Sequence, residues 1–229
     1  MTWRSGPYAA LIDSWLADDD PRLAVSMPEL MQARVMDQLL LRIYGAQWMP
    51  SELPVLVSQW SRFYFMHWLP AMLVTQLGHG WFLPLELRVV GLVLDERGQP
   101  TAMKMLEAGE PGEKGASLEP WIAVNMRPFV EFLAGYGGVS PQVIWGNAGD
   151  IFERTVRRLQ GLGLKDVAPA LALLETRRLA DGRANPLYAP VKYVGDGRRV
   201  RRSCCLAYPL VGPCEDCPVQ TAPAIDAPS

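Results

Sequence analysis

All four cysteines of this 229-residue chain fall within its last 26 positions: Cys204 and Cys205 are adjacent, and Cys214 and Cys217 form a Cys-x-x-Cys pair followed by Pro218. No thiol precedes them. Four thiolates match the ligand count of a structural zinc ion or an iron–sulfur cluster, and four cysteines also allow three disulfide pairings. Cys214 and Cys217 have the spacing of a zinc knuckle; Cys204 and Cys205 do not. Adjacent side chains in an extended segment point to opposite sides, which is awkward for ligating one tetrahedral ion. A two-iron cluster is broader and accommodates adjacent thiolates more readily. Disulfides need an oxidising compartment, and a bond between neighbouring cysteines is strained. The ligand rules rank iron–sulfur above zinc and zinc above disulfides, with all three still open at this level.

The run Arg198-Arg199-Val200-Arg201-Arg202 lies directly before the first cysteines. Such a run is most often a solvated surface. Beside an anionic thiolate centre, however, Arg201 and Arg202 would favour the more negative, reduced state and raise its potential. The same run suits docking of an acidic electron donor or an anionic substrate. In Trp145-Gly146-Asn147 the glycine permits close approach, and Asn147 is a candidate to bond a ligand or anchor a loop. The bland alternative for Asn147 is a helix cap.

The stretch from Arg201 to Tyr208, closing with Cys214-Glu215-Asp216-Cys217-Pro218, resembles the C-terminal signature of the FhuF-type siderophore ferric reductases. Ile144-Trp145-Gly146-Asn147 and Asn185-Pro186-Leu187-Tyr188, running into Pro190 to Val194, extend the likeness. It is sharp over 185–218, looser over 120–160, and a matter of layout before that. Eight residues separate Cys205 from Cys214, a little fewer than is usual in the family. The resemblance implies a [2Fe–2S] cluster held by Cys204, Cys205, Cys214 and Cys217. It also implies a cytosolic reductase passing one electron to a ferric siderophore. Hydroxamate or carboxylate siderophores hold Fe(III) through hard oxygen donors and Fe(II) far less tightly, so one electron releases the iron. No flavin or nicotinamide motif is present, and the electron donor is unidentified. Two rivals are a zinc-stabilised binding protein without redox activity and a [2Fe–2S] carrier that never meets a siderophore.

Hydrophobic content of 49% against 20% charged residues is enough for a real core. The formal net charge of −2 argues against general nucleic-acid binding. The first twenty residues lack an apolar run with a cleavage site, so no secretory signal is expected. The most apolar segment, Phe63 to Leu77, is interrupted by His67 and Pro70 and falls short of the roughly 20 residues of a spanning helix. A buried helix in a cytosolic protein is the expectation, with a peripheral membrane contact as the alternative.

The elements that must position the cysteines read as an α+β fold. A mainly helical siderophore-reductase body (1–184) carries a small antiparallel hairpin or sheet; a loop-rich cluster module (185–218) and a disordered tail (219–229) follow. Helices are expected from Pro28 to Gly45, from Ser51 to about Leu77 with a kink at Pro70, and over 118–134, 141–162 and 166–180. Residues 85–94 and 101–106 read as paired strands across an Asp95–Pro100 turn. Gly135-Tyr136-Gly137-Gly138 lacks dinucleotide-loop spacing and reads as a helix end. His67 is expected to be a core residue with one hydrogen bond and His79 a loop residue. Trp60, Phe63, Phe65 and Trp68 read as core, or as an aromatic wall if the protein handles a bulky chelate.

Overall fold

The computed structural model describes residues 6–195 and 197–221. The expected tail falls mostly on 222–229, outside the described residues, as do residues 1–5; Pro218–Thr221 forms a 3₁₀ turn. In chain order the elements are β1 (Trp15–Leu16), β2 (Val25–Ser26), α1 (Met27–Leu30), α2 (Ala33–Tyr44) and α3 (Leu53–Leu73). Next come β3 (Trp81–Phe82), β4 (Val90–Leu94), β5 (Pro100–Met105), β6 (Glu110–Pro111) and α4 (Arg127–Gly137). The chain closes with α5 (Pro141–Gly161), α6 (Ala168–Glu175), β7 (Val191–Val194), β8 (Arg198–Arg201) and α7 (Tyr208–Val211). Helices dominate and the sheets are small, an α+β fold.

α3 is apolar around most of its circumference, so it is buried on nearly every side rather than along one stripe. Trp60, Tyr64, Phe65 and Trp68 are fully inaccessible. Phe129 of α4 meets Tyr64 with ring centroids 4.1 Å apart, and Trp121 meets Trp68 edge-on at 5.6 Å. Each such side chain contributes roughly 1.5–3 kcal/mol by leaving water. Phe63 faces outward and is only half-buried. α3 passes Pro70 and continues through a π-helical turn, Val74–Gly78. No helix among the described residues is long and apolar enough to cross a membrane.

α5, packed against α3, starts where the sequence places it: Ser140 Oγ accepts from the Gln142 amide and Pro141 occupies the first turn. α4 ends at left-handed Gly138 (φ 58°), as the glycine-rich stretch predicts. His67 is half-buried with its Nε2 3.3 Å from the Pro100 carbonyl, and burial lowers its pKa.

Three expectations need correction. The helix from Pro28 to Gly45 is two helices, α1 and α2, interrupted at Met31 and Gln32. Residues 85–94 form a strand only from Val90, since Leu87–Val89 turns as a 3₁₀ segment. α6 ends at Glu175 rather than near 180. The loop-rich segment 185–218 also holds an antiparallel hairpin, β7 and β8, pairing Val191 with Arg201 and Val194 with Arg198. The main sheet has four strands in the order β1-β5-β4-β2, with β1 parallel to β5 and the remaining pairs antiparallel.

Candidate functional site

The cysteine segment is laid across the α3–α5 contact. α5 offers two glycines to it. A Cβ at Gly149 would stand 2.5 Å from Pro190 Cβ, and one at Gly146 would collide with the Ser203 side chain. Only a bare backbone lets the β7–β8 hairpin and the first cysteines approach this closely.

Between these glycines, Asn147 is fully buried. Its Nδ2 donates to the Ser58 carbonyl (2.9 Å), to Ser58 Oγ (3.0 Å) and to Ser61 Oγ (3.1 Å), clasping α5 to α3. Its Oδ1 accepts from Arg201 Nη2 at 2.7 Å. Asn147 is therefore neither a cap nor open to a ligand; it is an internal tie. Ser58 carries the tie onward, because its Oγ donates to the Cys205 carbonyl at 2.7 Å. Gln59 Nε2 donates to that same carbonyl at 2.6 Å.

The structure separates the two arginines that the sequence groups together. Arg201 is 2% exposed, whereas Arg202 is exposed and lies over the Tyr188 ring, its guanidinium carbon 5.9 Å from the centroid. Arg201 Nε and Nη1 are buried without a hydrogen-bond partner, although Nη1 lies 3.6 Å from Asp150 Oδ2.

Alternation along β8 brings Arg199 to the same side as Arg201. Arg199 contacts Asp150 (2.7 Å), Glu153 (3.0 Å) and Asp216 (2.6 Å). Asp216 sits inside the Cys-x-x-Cys turn and also meets Arg154. Arg62 reaches Asp150 and Arg157 reaches Glu153, so five guanidinium groups face three carboxylates. Burial alone would raise the Asp150 pKa, but Arg201, Arg199 and Arg154 outweigh it and hold the carboxyl below its ordinary value. The Cys-x-x-Cys turn is further fixed by Cys217 N–H donating to the Cys214 carbonyl and Arg201 N–H donating to the Asp216 carbonyl.

All four cysteines are free thiols, Cys205 and Cys217 buried, Cys204 and Cys214 half-buried. Burial pushes the Cys204 thiol up; the Leu206 amide, donating to Cys204 Sγ at 3.4 Å, acts the other way. Leu206 adopts a left-handed backbone (φ 58°), an uncommon conformation for a branched residue. Cys214 is pushed up to about 11, first by burial and then by Cys205 and Cys217, against the opposing charge of Arg201. The four thiols lie close enough to act on one another: Cys204 is influenced by Cys205 and Cys217, and Cys214 by the same two. No three Cys, His, Asp or Glu side chains among the described residues converge as ligands of one metal ion.

The sequence marks Arg199 only as part of the basic run and Asp216 only within the cysteine motif, and it gives Ser58, Gln59 and Asp150 no role. The one signal available was the Gly146-x-x-Gly149 spacing, which places two bare positions on one helix face.

The model of the family described as "Ferric iron reductase FhuF-like transporter" matches residues 58–200, more than half of the chain, and stops just before Cys204. A protein of Escherichia coli (strain K12) named "Ferric siderophore reductase" is similar at 26% identity over 216 residues, covering 88% of this chain and 82% of that protein.

Proposed function

This chain belongs to the FhuF-like ferric iron reductase family, and on that premise we propose that it reduces ferric siderophores in the cytosol, one electron at a time, through a [2Fe–2S] cluster on Cys204, Cys205, Cys214 and Cys217. The observation that carries this reading is the gathering of four free thiols at one place, beside a buried arginine that retains unpartnered donors. The donor set fits such a cluster, which takes four thiolates shared between two irons.

When bound, the cluster supplies a single transferable electron. The chain's own residues set its conditions. Cys205 and Cys217 are shut off from water. The Leu206 amide and the Arg201 guanidinium present hydrogen-bond donors and positive charge toward the cysteine pairs, which favours the reduced state. The surplus of guanidinium over carboxylate around Asp150 acts in the same direction. Fe(III) held by hydroxamate or carboxylate oxygens accepts the electron, and the weaker grip of those donors on Fe(II) frees the metal. The electron donor is a separate partner, since the chain carries no flavin or nicotinamide motif.

Purified anaerobically, the protein should absorb in the visible, give an EPR signal on reduction and contain two irons, and Cys204→Ala should abolish all three. A colourless protein with stoichiometric zinc would replace this reading with the zinc-stabilised one.

A further inference from the structure

An open cleft of 360 Å³ abuts the cysteine segment, and Arg62, which lines it, also reaches Asp150. Its lining is largely aromatic and apolar, with Tyr44, Trp48, Phe63 and Met66, and includes Leu210 and Val211 from the segment joining Cys205 to Cys214. Clefts of 380, 400 and 430 Å³ elsewhere on the surface involve no residue of this loop.

Three observations mark this cleft as a binding site. Gln59 lines it and bonds the Cys205 carbonyl at 2.6 Å, so its floor is one residue removed from a cysteine of the centre. Tyr44 lines it too, and its hydroxyl is buried without a hydrogen-bond partner. A buried hydroxyl without a partner is destabilising, and a small shift of the Tyr44 ring toward the cleft would let a ligand oxygen satisfy it. Finally, Val211 and Met66, both in the lining, are 80% and 43% exposed, leaving apolar surface that a bound molecule would cover.

We propose that this cleft holds the ferric siderophore, with its organic periphery against Trp48, Phe63 and Met66 and its iron-binding oxygens toward Arg62, Gln59 and the Tyr44 hydroxyl. The assignment rests on the ferric-siderophore reading above. It places the chelate against the loop that connects the cysteine pairs, where a one-electron transfer needs no further relay. The aromatic wall considered from the sequence is thus divided: Phe63 faces the chelate, whereas Trp60, Phe65 and Trp68 are core.

The test uses the cluster-bearing protein and the gallium(III) complex of a trihydroxamate siderophore, which matches the ferric complex in charge and oxygen preference but is not reduced. Binding is read by calorimetry, with the change in total tryptophan fluorescence as a second signal. Met66→Asp should weaken the affinity roughly tenfold by setting a charge against the apolar periphery, and Tyr44→Phe should weaken it several-fold. Val124→Asp, at a distant exposed position, should leave it unchanged, and all three variants should keep the wild-type visible spectrum. Wild-type affinity in both Met66→Asp and Tyr44→Phe overturns the assignment. So does a Met66→Asp variant that is slowed only in accepting electrons, which would make the cleft a donor-docking face. If the gallium complex fails to bind while ferric chelate still oxidises the reduced protein, the cleft assignment falls and the reductase reading stands. If no ferric chelate oxidises it, the reductase reading falls first and the cleft with it.

Discussion

Gly146 of α5 and Ser203 meet so closely that a single methyl group on the helix would occupy the place of the serine side chain. Ser203 immediately precedes the cysteine pair, so the helix surface sets where Cys204 begins. Gly146→Ala should therefore displace the cysteine segment and lower cluster content, at a cost of about 1–3 kcal/mol for the overpacked contact. The helical far-UV signal of the body should persist. A Gly146→Ala protein with full iron content would show that the segment moves freely relative to α5.

How much of this was legible beforehand depends on the range of the interaction. Gly138 and Ser140 announced the break between α4 and α5 because caps and turns are local chemistry. The four cysteines stand out in the sequence because thiols are scarce there, and the structure brings them near one another. The Ser58–Cys205 bond joins residues 147 positions apart, and nothing near either one signals it. Arg201 and Arg202 look equivalent in a basic run; only the β7–β8 pairing sends one inward and leaves the other outside. The hairpin itself was missed because Val191, Tyr193 and Val200 are too few to establish a period of two.

That difference separates the two arginines by experiment. Arg201→Gln should lower the reduction potential of the centre, because it removes a buried positive charge that acts on Cys214. Arg202→Gln, at an exposed side chain, should leave the potential near wild type. Potentiometric titration of both variants measures this, and equal shifts would place both guanidinium groups at the same distance from the sulfurs.

Asp150 is a buried partner of Arg62, Arg154, Arg199 and Arg201. Asp150→Asn should cost about 3–5 kcal/mol, because it leaves buried guanidinium charge uncompensated. The pH dependence follows from its lowered pKa. The stabilisation is complete above the ordinary carboxylate value near 3.9 and is lost as pH falls through the lower, folded-state value. Urea unfolding of the apoprotein below about pH 4 should accordingly lose stability more steeply in wild type than in Asp150→Asn. Parallel curves would mean that the Asp150 ion pairs do not contribute to folding.

The central claim is that the four cysteines deliver one electron to a ferric chelate. The most direct measurement is single-turnover stopped flow, mixing the reduced, donor-free protein with a ferric trihydroxamate while following both the visible band and Fe(II) capture by a ferrous-specific chelator. The account predicts return of the oxidised spectrum and release of one Fe(II) per protein at matching rates. A reduced spectrum that persists in excess ferric chelate, with no Fe(II) appearing, would contradict it.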